Sequence, residues 1–204
     1  MARPRVIRRL SDNRKKKAPV VTPAQLKRLL FVASQTRNPE RNELIVWLLF
    51  GAGFRISEVA QIEPTTVLFK DGSIRETGLI PSKYCKNNKA GHVFFYNRKL
   101  RAALASYIEF RVYKRLMVVD SKDYRGLKKD AALILSENKR PYSLKKKVRK
   151  NKDNIEVVYW ACDTLQAMVT KWGLEAGIDN FSCHSKCIPV NSYTEESSTF
   201  YLAA

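Results

Sequence analysis

A single arginine, Arg55, lies between two glycines and an apolar-periodic segment, a position that suits the binding of a phosphate group. Gly51 and Gly53 can end the apolar helix before it, because glycine adopts a left-handed cap at little steric cost. A new helix is predicted to start near Ser57, whose hydroxyl can cap free backbone N–H groups. A guanidinium beside a helix N-terminus can hold a phosphate through a two-pronged contact supported by backbone N–H groups.

A second interpretation of Arg55 needs no ligand. Glu58 follows three residues later, on the same face of the predicted helix, and the two side chains can form an ordinary ion pair. From these residues alone, both interpretations stand.

The charge balance of the chain points to a polyanionic partner. Lysines and arginines number 38 and acids 19, a formal net charge of +19 in 204 residues. We expect double-stranded DNA rather than a membrane, since the longest apolar run, Leu44 to Phe50, is far too short to cross a bilayer. The charged N-terminus does not resemble a signal peptide. Four scattered cysteines (Cys85, Cys162, Cys183 and Cys187) fit a reducing, cytoplasmic setting. With DNA as the expected partner, we expect the protein to be nucleoid-associated.

Two basic segments are candidates for contact with DNA. Residues 1–19 are rich in arginine and lysine and have little to bury, so we expect a flexible arm that lies along phosphates. The segment from Lys139 to Lys152 contains many basic residues and no acid. It is either a solvated, flexible block or a DNA-contacting loop.

The periodicities predict an α+β domain that is mainly helical and has a small antiparallel β-sheet. Thr22, Pro23 and Gln25 form a capping-box pattern that starts a helix ending near Ser34. Further helices are predicted through 44–50, from Arg98 to Tyr113 and from Tyr159 to Ala176, the last ended by Gly173 or Gly177. Hairpins are predicted around Asp71-Gly72 and between 79–80 and 92–96, the second with lysines at its tip.

No cofactor is expected. The chain contains neither a Walker A loop nor a dinucleotide-binding glycine pattern nor paired CxxC motifs. Cys183, His184 and Cys187 could form part of a zinc site, but a fourth ligand at suitable spacing is missing.

Three segments, in order, resemble the tyrosine recombinase or phage-type integrase family. Gly51 to Val59 (GAGFRISEV) is similar to the family's first box, Lys86 to Phe95 (KNNKAGHVFF) to its lysine-bearing hairpin, and Phe181 to Ser185 (FSCHS) to the start of its H-x-x-R box. The resemblance extends from about Val20 to Ser185 and implies a recombinase-type catalytic domain that breaks and rejoins DNA through a phosphotyrosine, without a metal.

The resemblance also implies roles for individual residues. Arg55 would hold the scissile phosphate, with Glu58 behind its guanidinium. Lys86 would protonate the leaving 5′-oxygen as general acid, with Lys89 as the fallback. His184 would contact the phosphate or assist proton transfer.

The pattern departs from the family after His184. Cys187 stands where the box requires an arginine, and Tyr193 and Tyr201 lie much closer to His184 than the family places its nucleophile. The nucleophile is therefore not identified. Three regions follow: an arm at 1–19, an incomplete tyrosine-recombinase-like catalytic domain at 20–186, and an atypical tail at 187–204.

Three functional hypotheses remain open. The first is a site-specific recombinase or integrase domain of a mobile element, which could self-associate on DNA. The second is a catalytically incomplete, non-enzymatic DNA-binding remnant of an integrase. The third is an RNA-associated basic protein, although the chain lacks the usual RNA-binding signatures.

Overall fold

A computed structural model of the protein describes residues 20–82, 90–150, 154, 156–182 and 186–187. The helices are α1 (Pro23–Ser34), α2 (Pro39–Gly51), α3 (Ile56–Val59), α4 (Pro64–Val67), α5 (Arg98–Tyr113) and α6 (Asp163–Glu175). The strands are β1 (Val20–Val21), β2 (Thr77–Ile80), β3 (Gly91–Phe94), β4 (Lys145–Lys150), β5 (Glu156–Ala161) and β6 (Lys186–Cys187). The pairs β2–β3 and β4–β5 are antiparallel, whereas β1 and β6 are parallel. The predicted α+β, mainly helical class is confirmed.

Helix α2 is the centre of the hydrophobic core. Its residues from Leu44 to Phe50 are all buried, as expected for a helix that is apolar on every side. α1 and α5 both pack against it. In the part of the chain that the structure describes, every helix is too short or too polar to span a membrane.

Helix α1 begins at the predicted capping box. The Thr22 hydroxyl accepts a hydrogen bond from the Gln25 N–H, and the Gln25 side chain accepts one from the Thr22 N–H at 2.9 Å. Leu26, Leu29 and Ala33 are the buried face of the helix. These reciprocal bonds satisfy backbone donors that a helix start leaves free, so both start and face were predictable locally.

An irregular segment, 131–135, is largely buried, and its pairing is limited to a single bridge between Leu135 and Pro141. Some of its backbone polar groups bond to other backbone groups, such as the Leu133 N–H to the Ile62 carbonyl at 2.6 Å, and others bond to side chains. Arg111 on α5 donates to the carbonyls of Ala132 and Leu133 at 3.0 and 2.9 Å. The hydroxyl of Tyr107 accepts from the Leu135 N–H at 3.1 Å. Buried backbone groups require such partners, so the two α5 side chains hold this segment in the core.

Two sequence predictions about the C-terminal half are wrong. The basic segment is neither a flexible block nor a loop throughout, because Lys145–Lys150 forms β4. The helix predicted from Tyr159 begins only at Asp163, since Tyr159 lies in β5, opposite Lys147. The apolar spacing of this segment fits both periods over so few residues, and pairing with β4 decides for the strand.

The first predicted hairpin is only partly formed. Val67 ends α4, and pairing is limited to a single bridge between Leu68 and Ile74 around the turn. Pro64 explains the difference, because proline suits the first turn of a helix. Gly72 has a φ of +85°, as the Asp-Gly signal predicted.

Helix α6 continues through Gly173 and is followed by Gly177, whose φ is +67°. Gly173 is needed for contact rather than for a turn: a β-carbon at this position would overlap the ring of Phe181. Phe181 is buried and lies 5.7 Å from the ring of Phe50 on α2. The missing side chain therefore lets α6 approach this ring closely.

We expect Gly173→Ala to destabilise the protein by about 1–3 kcal/mol, because overpacking displaces a buried ring. In an open helix interior the same change stabilises by about 1 kcal/mol, so the sign is diagnostic. Chemical denaturation followed by circular dichroism measures the effect. The companion change Ala167→Gly, at an exposed position of α6, should cost about 1 kcal/mol by propensity alone. A stabilised Gly173→Ala protein would contradict the proposed packing.

Candidate phosphate-binding site

The Arg55 turn is built by the end of α2. Gly53 adopts a left-handed φ of +74°, and the Phe54 N–H donates back to the Leu48 carbonyl at 3.0 Å. Phe54 and Ile56 are both buried, while Arg55 between them is exposed. The buried neighbours hold the backbone of Arg55 in an extended conformation and leave its side chain at the surface.

The N-cap of the helix after the turn lies two residues earlier than predicted. Arg55, and not Ser57, is the N-cap of α3, because the Glu58 side chain reaches back to the Arg55 backbone N–H at 2.7 Å. A carboxylate at the third helical position is the usual partner for this donor. Since α3 has only four residues, its dipole adds little, and the site depends on the Arg55 side chain itself.

Glu58 holds Arg55 through both of its oxygens. Oε2 accepts from the backbone N–H, and Oε1 accepts from Nη1 of the guanidinium at 2.6 Å. The Glu58 side chain is only 4% exposed, whereas that of Arg55 is 57% exposed. The ion pair between Arg55 and Glu58 is therefore present, with the carboxylate buried and the guanidinium exposed to solvent.

This arrangement leaves most of the guanidinium available to a ligand. Arginine has five N–H donors in a planar fork. Within the described ranges, Nη1 to Glu58 is the one hydrogen bond that the guanidinium makes. The charge-assisted bond that the guanidinium donates to the buried carboxylate restricts the rotamers of the arginine. The remaining donors are therefore held toward solvent, in an orientation suited to an anion.

The predicted β2–β3 hairpin lies beside the Arg55 turn. The ring of Phe54 stacks on that of Phe95, which follows β3, with centroids 6.4 Å apart. Gly78 on β2 allows the close approach, because a β-carbon there would overlap the Thr66 carbonyl and lie 3.0 Å from the Phe95 ring. The hairpin is thus packed against the element that carries Arg55.

The structure brings together two of the predicted site residues, Arg55 and Glu58. The others lie outside the described residues: Lys86, Lys89, His184, Tyr193 and Tyr201. The metal hypothesis at Cys183 and His184 also lies outside them, and it stays a prediction.

Sequence reasoning missed one element near the site. β5 lies against α3, so one strand of the β4–β5 hairpin is close to the Arg55 turn. The run of basic residues in β4 is visible in the sequence, but a run of lysines has no strand periodicity. The signal that could have found the hairpin is the pairing of this run with the β-branched and aromatic residues of 157–160.

The fold is similar to that of a recombinase of known structure. The crystal structure of XerA recombinase matches with a TM-score of 0.53 and 18% sequence identity, over 88% of this chain and 50% of that chain. This chain therefore spans half the length of that recombinase. No protein-family model and no curated protein sequence matches. At this identity the likeness concerns the fold.

Proposed function

We propose that this chain is a DNA-binding domain of the tyrosine recombinase type, in which Arg55 binds a backbone phosphate. The observation that carries the proposal is the exposed Arg55 guanidinium held by the buried carboxylate of Glu58. The fold shared with part of a recombinase and the net charge of +19 both support it. An ion pair with no ligand has the same geometry, and measured DNA binding by Arg55 variants decides between the two interpretations.

We call the Arg55 guanidinium and the Glu58 carboxylate that holds it the phosphate clamp. Its chemistry follows from its geometry. Two guanidinium N–H groups can bond both non-bridging oxygens of one phosphate. If the phosphate is attacked by a tyrosine hydroxyl, negative charge grows on these oxygens, and a preoriented cation stabilises the transition state. In this proposal the bond between phosphorus and the 5′-oxygen breaks as the tyrosine–phosphorus bond forms, and Lys86 or Lys89 protonates the leaving 5′-oxygen. His184 contacts the phosphate or accepts the proton of the attacking tyrosine.

Cys187 favours a second candidate function, a non-enzymatic DNA-binding domain. It occupies the position where the resemblance calls for an arginine, and a thiol cannot replace the fork of a guanidinium. The two candidates share DNA binding and differ only in strand cleavage.

A suicide substrate separates the two candidates. A duplex carrying the cognate site, with a nick that lets the cleaved end diffuse away, traps any covalent protein–DNA adduct. An adduct that disappears with Tyr193→Phe or Tyr201→Phe identifies the nucleophile and supports the recombinase. Duplex binding with no adduct supports the non-enzymatic domain. If the protein neither binds duplex DNA nor forms an adduct, the proposed function is wrong.

We expect Glu58→Gln to weaken duplex DNA binding several-fold, although it makes the protein more positive. The neutral amide still accepts a hydrogen bond but holds the guanidinium less tightly, so the clamp loses its fixed orientation. Fluorescence anisotropy with a labelled duplex at low salt measures the change in Kd.

Glu175→Gln is the matched control, since Glu175 is a half-exposed acid that pairs with Lys171 on α6. It changes the net charge equally and should leave Kd unchanged or slightly lower. If Glu58→Gln tightens binding as the control does, Glu58 does not position a phosphate ligand.

A further inference from the structure

The β4–β5 hairpin, named here the basic ribbon (Lys145–Lys150 and Glu156–Ala161), takes no part in the phosphate site. It is the longest antiparallel pair in the described part of the chain, running from Lys145 opposite Ala161 to Lys150 opposite Glu156. Every residue of β4 except Val148 is basic, and β5 contains a single acid. This concentration of charge favours a polyanion as the partner of the ribbon.

The inner face of the ribbon is tied to the body of the domain. Lys147 donates to Asp163 Oδ1 at 2.6 Å, and Lys145 lies 3.7 Å from Asp163 Oδ2. The hydrogen bond from Lys147 lowers the pKa of the Asp163 carboxyl. Asp163 is the first residue of α6, so these contacts fix which face of the ribbon is turned outward.

The outer face of the ribbon is exposed along its whole length. It alternates with the anchored face and consists of Lys146, Val148, Lys150, Glu156, Val158 and Trp160. Val148, Val158 and Trp160 are 56%, 50% and 51% exposed. Contiguous exposed apolar side chains bordered by charged ones are typical of an interaction surface.

We propose that the outer face of the basic ribbon lies in the major groove of duplex DNA and contacts base edges there. The groove is about 12 Å wide and admits a two-stranded β-ribbon. Lysine can donate to guanine O6 and N7, glutamate can accept from cytosine N4, and apolar side chains can contact the thymine methyl. The outer face carries all three kinds of group.

This inference rests on the proposed DNA-binding function and extends it from phosphate contact to base contact. β5 lies against α3, directly after Arg55, so one duplex can reach both elements. Phosphate contacts set the position of a protein on DNA, whereas base contacts in the groove give sequence preference. The ribbon would therefore supply specificity that the Arg55 site lacks.

The test compares two double variants of the full chain in duplex binding. Lys146→Thr with Trp160→Thr removes a cross-strand lysine and aromatic from the outer face and keeps strand propensity. Lys27→Ala with Phe31→Ala removes an exposed lysine and an exposed aromatic from α1 as the matched control. We expect the ribbon variant to raise Kd about tenfold over the control.

A second readout asks which groove is used. Duplex whose pyrimidines carry bulky C5 substituents, which fill the major groove, should bind the wild type about tenfold more weakly and should not further weaken the ribbon variant. A second ribbon variant, Lys146→Gln with Lys150→Gln, keeps the apolar side chains of the outer face. Its binding to unmodified and C5-substituted duplex is compared with that of the wild type in the same way. Circular dichroism verifies that each variant is folded.

Several results would overturn the inference. If the ribbon variants bind like the control, or filling the groove has no effect on the wild type, the ribbon does not read the major groove, and the proposed function survives. If a ribbon variant loses only self-association in sedimentation, the outer face binds a second copy instead. If the wild type shows no salt-sensitive duplex binding, both proposals fail.

Discussion

Arg55→Ala is expected to weaken duplex DNA binding by about 1.5–3 kcal/mol, which is tenfold or more in Kd. The change removes the one exposed donor group that Glu58 holds in place, and with it a charge-assisted contact to phosphate. Arg55→Lys should recover only part of the loss, because an ammonium keeps the charge but cannot form the two-pronged contact. Fluorescence anisotropy on one duplex at fixed salt compares the three proteins.

Arg37→Ala is the control for Arg55, since Arg37 is an exposed arginine in the α1–α2 loop and its removal changes the net charge equally. We expect it to alter Kd no more than twofold, the size of a general charge effect. Equal losses for the two alanine variants, or full recovery with lysine, would show that Arg55 acts only through overall charge.

Arg111→Leu is expected to lower the free energy of unfolding by about 3–5 kcal/mol. Arg111 is fully buried, and its guanidinium donates to the carbonyls of Leu116, Ala132 and Leu133 at 2.8–3.0 Å. Burial lowers the pKa of this guanidinium, and its partners are carbonyls rather than a carboxylate. Leucine leaves the buried Leu133 carbonyl and the partly buried carbonyls of Ala132 and Leu116 without this donor, and an unsatisfied buried group costs about 1–3 kcal/mol.

Urea denaturation followed by circular dichroism measures the Arg111 effect. Lys114→Ala is its control, because Lys114 is an exposed cation at the end of the same helix, 4.9 Å from the Tyr113 ring. We expect a change within about 1 kcal/mol there. If Arg111→Leu is as stable as the wild type, segment 131–135 does not depend on these hydrogen bonds.

The elements that were predictable from sequence are those whose signals are local. The capping box at Thr22 and Gln25 starts α1, and the apolar face of Arg98–Tyr113 is the buried face of α5. The β2–β3 pairing was predicted from two short segments rich in apolar residues on either side of a polar turn. In each case the residues that decide the structure lie within one turn or one hairpin of each other.

The misplaced elements depend on contacts that sequence spacing does not reveal. β4 is a strand because β5 pairs with it and Asp163 anchors it, although its own residues have no strand periodicity. Segment 131–135 is buried because Arg111, some twenty residues earlier, satisfies its carbonyls. Neither contact leaves a pattern in the segment itself.

The candidate site divides in the same way. The glycine turn before Arg55 and the spacing to Glu58 were visible in the sequence. The burial of Glu58 was not visible in the sequence. Because Glu58 is buried and Arg55 is exposed, the ion pair and the proposed phosphate clamp are the same arrangement. The roles of Lys86 and His184 remain predictions from the family resemblance.

The salt dependence of duplex DNA binding tests the phosphate clamp most directly. For the wild type, we predict that log K falls linearly with log salt concentration, because phosphate contacts release counterions. For Arg55→Ala, the slope should be shallower by about one, the loss of one phosphate contact, while Arg37→Ala keeps the wild-type slope. An unchanged slope and affinity for Arg55→Ala would contradict the assignment of Arg55 to a DNA phosphate.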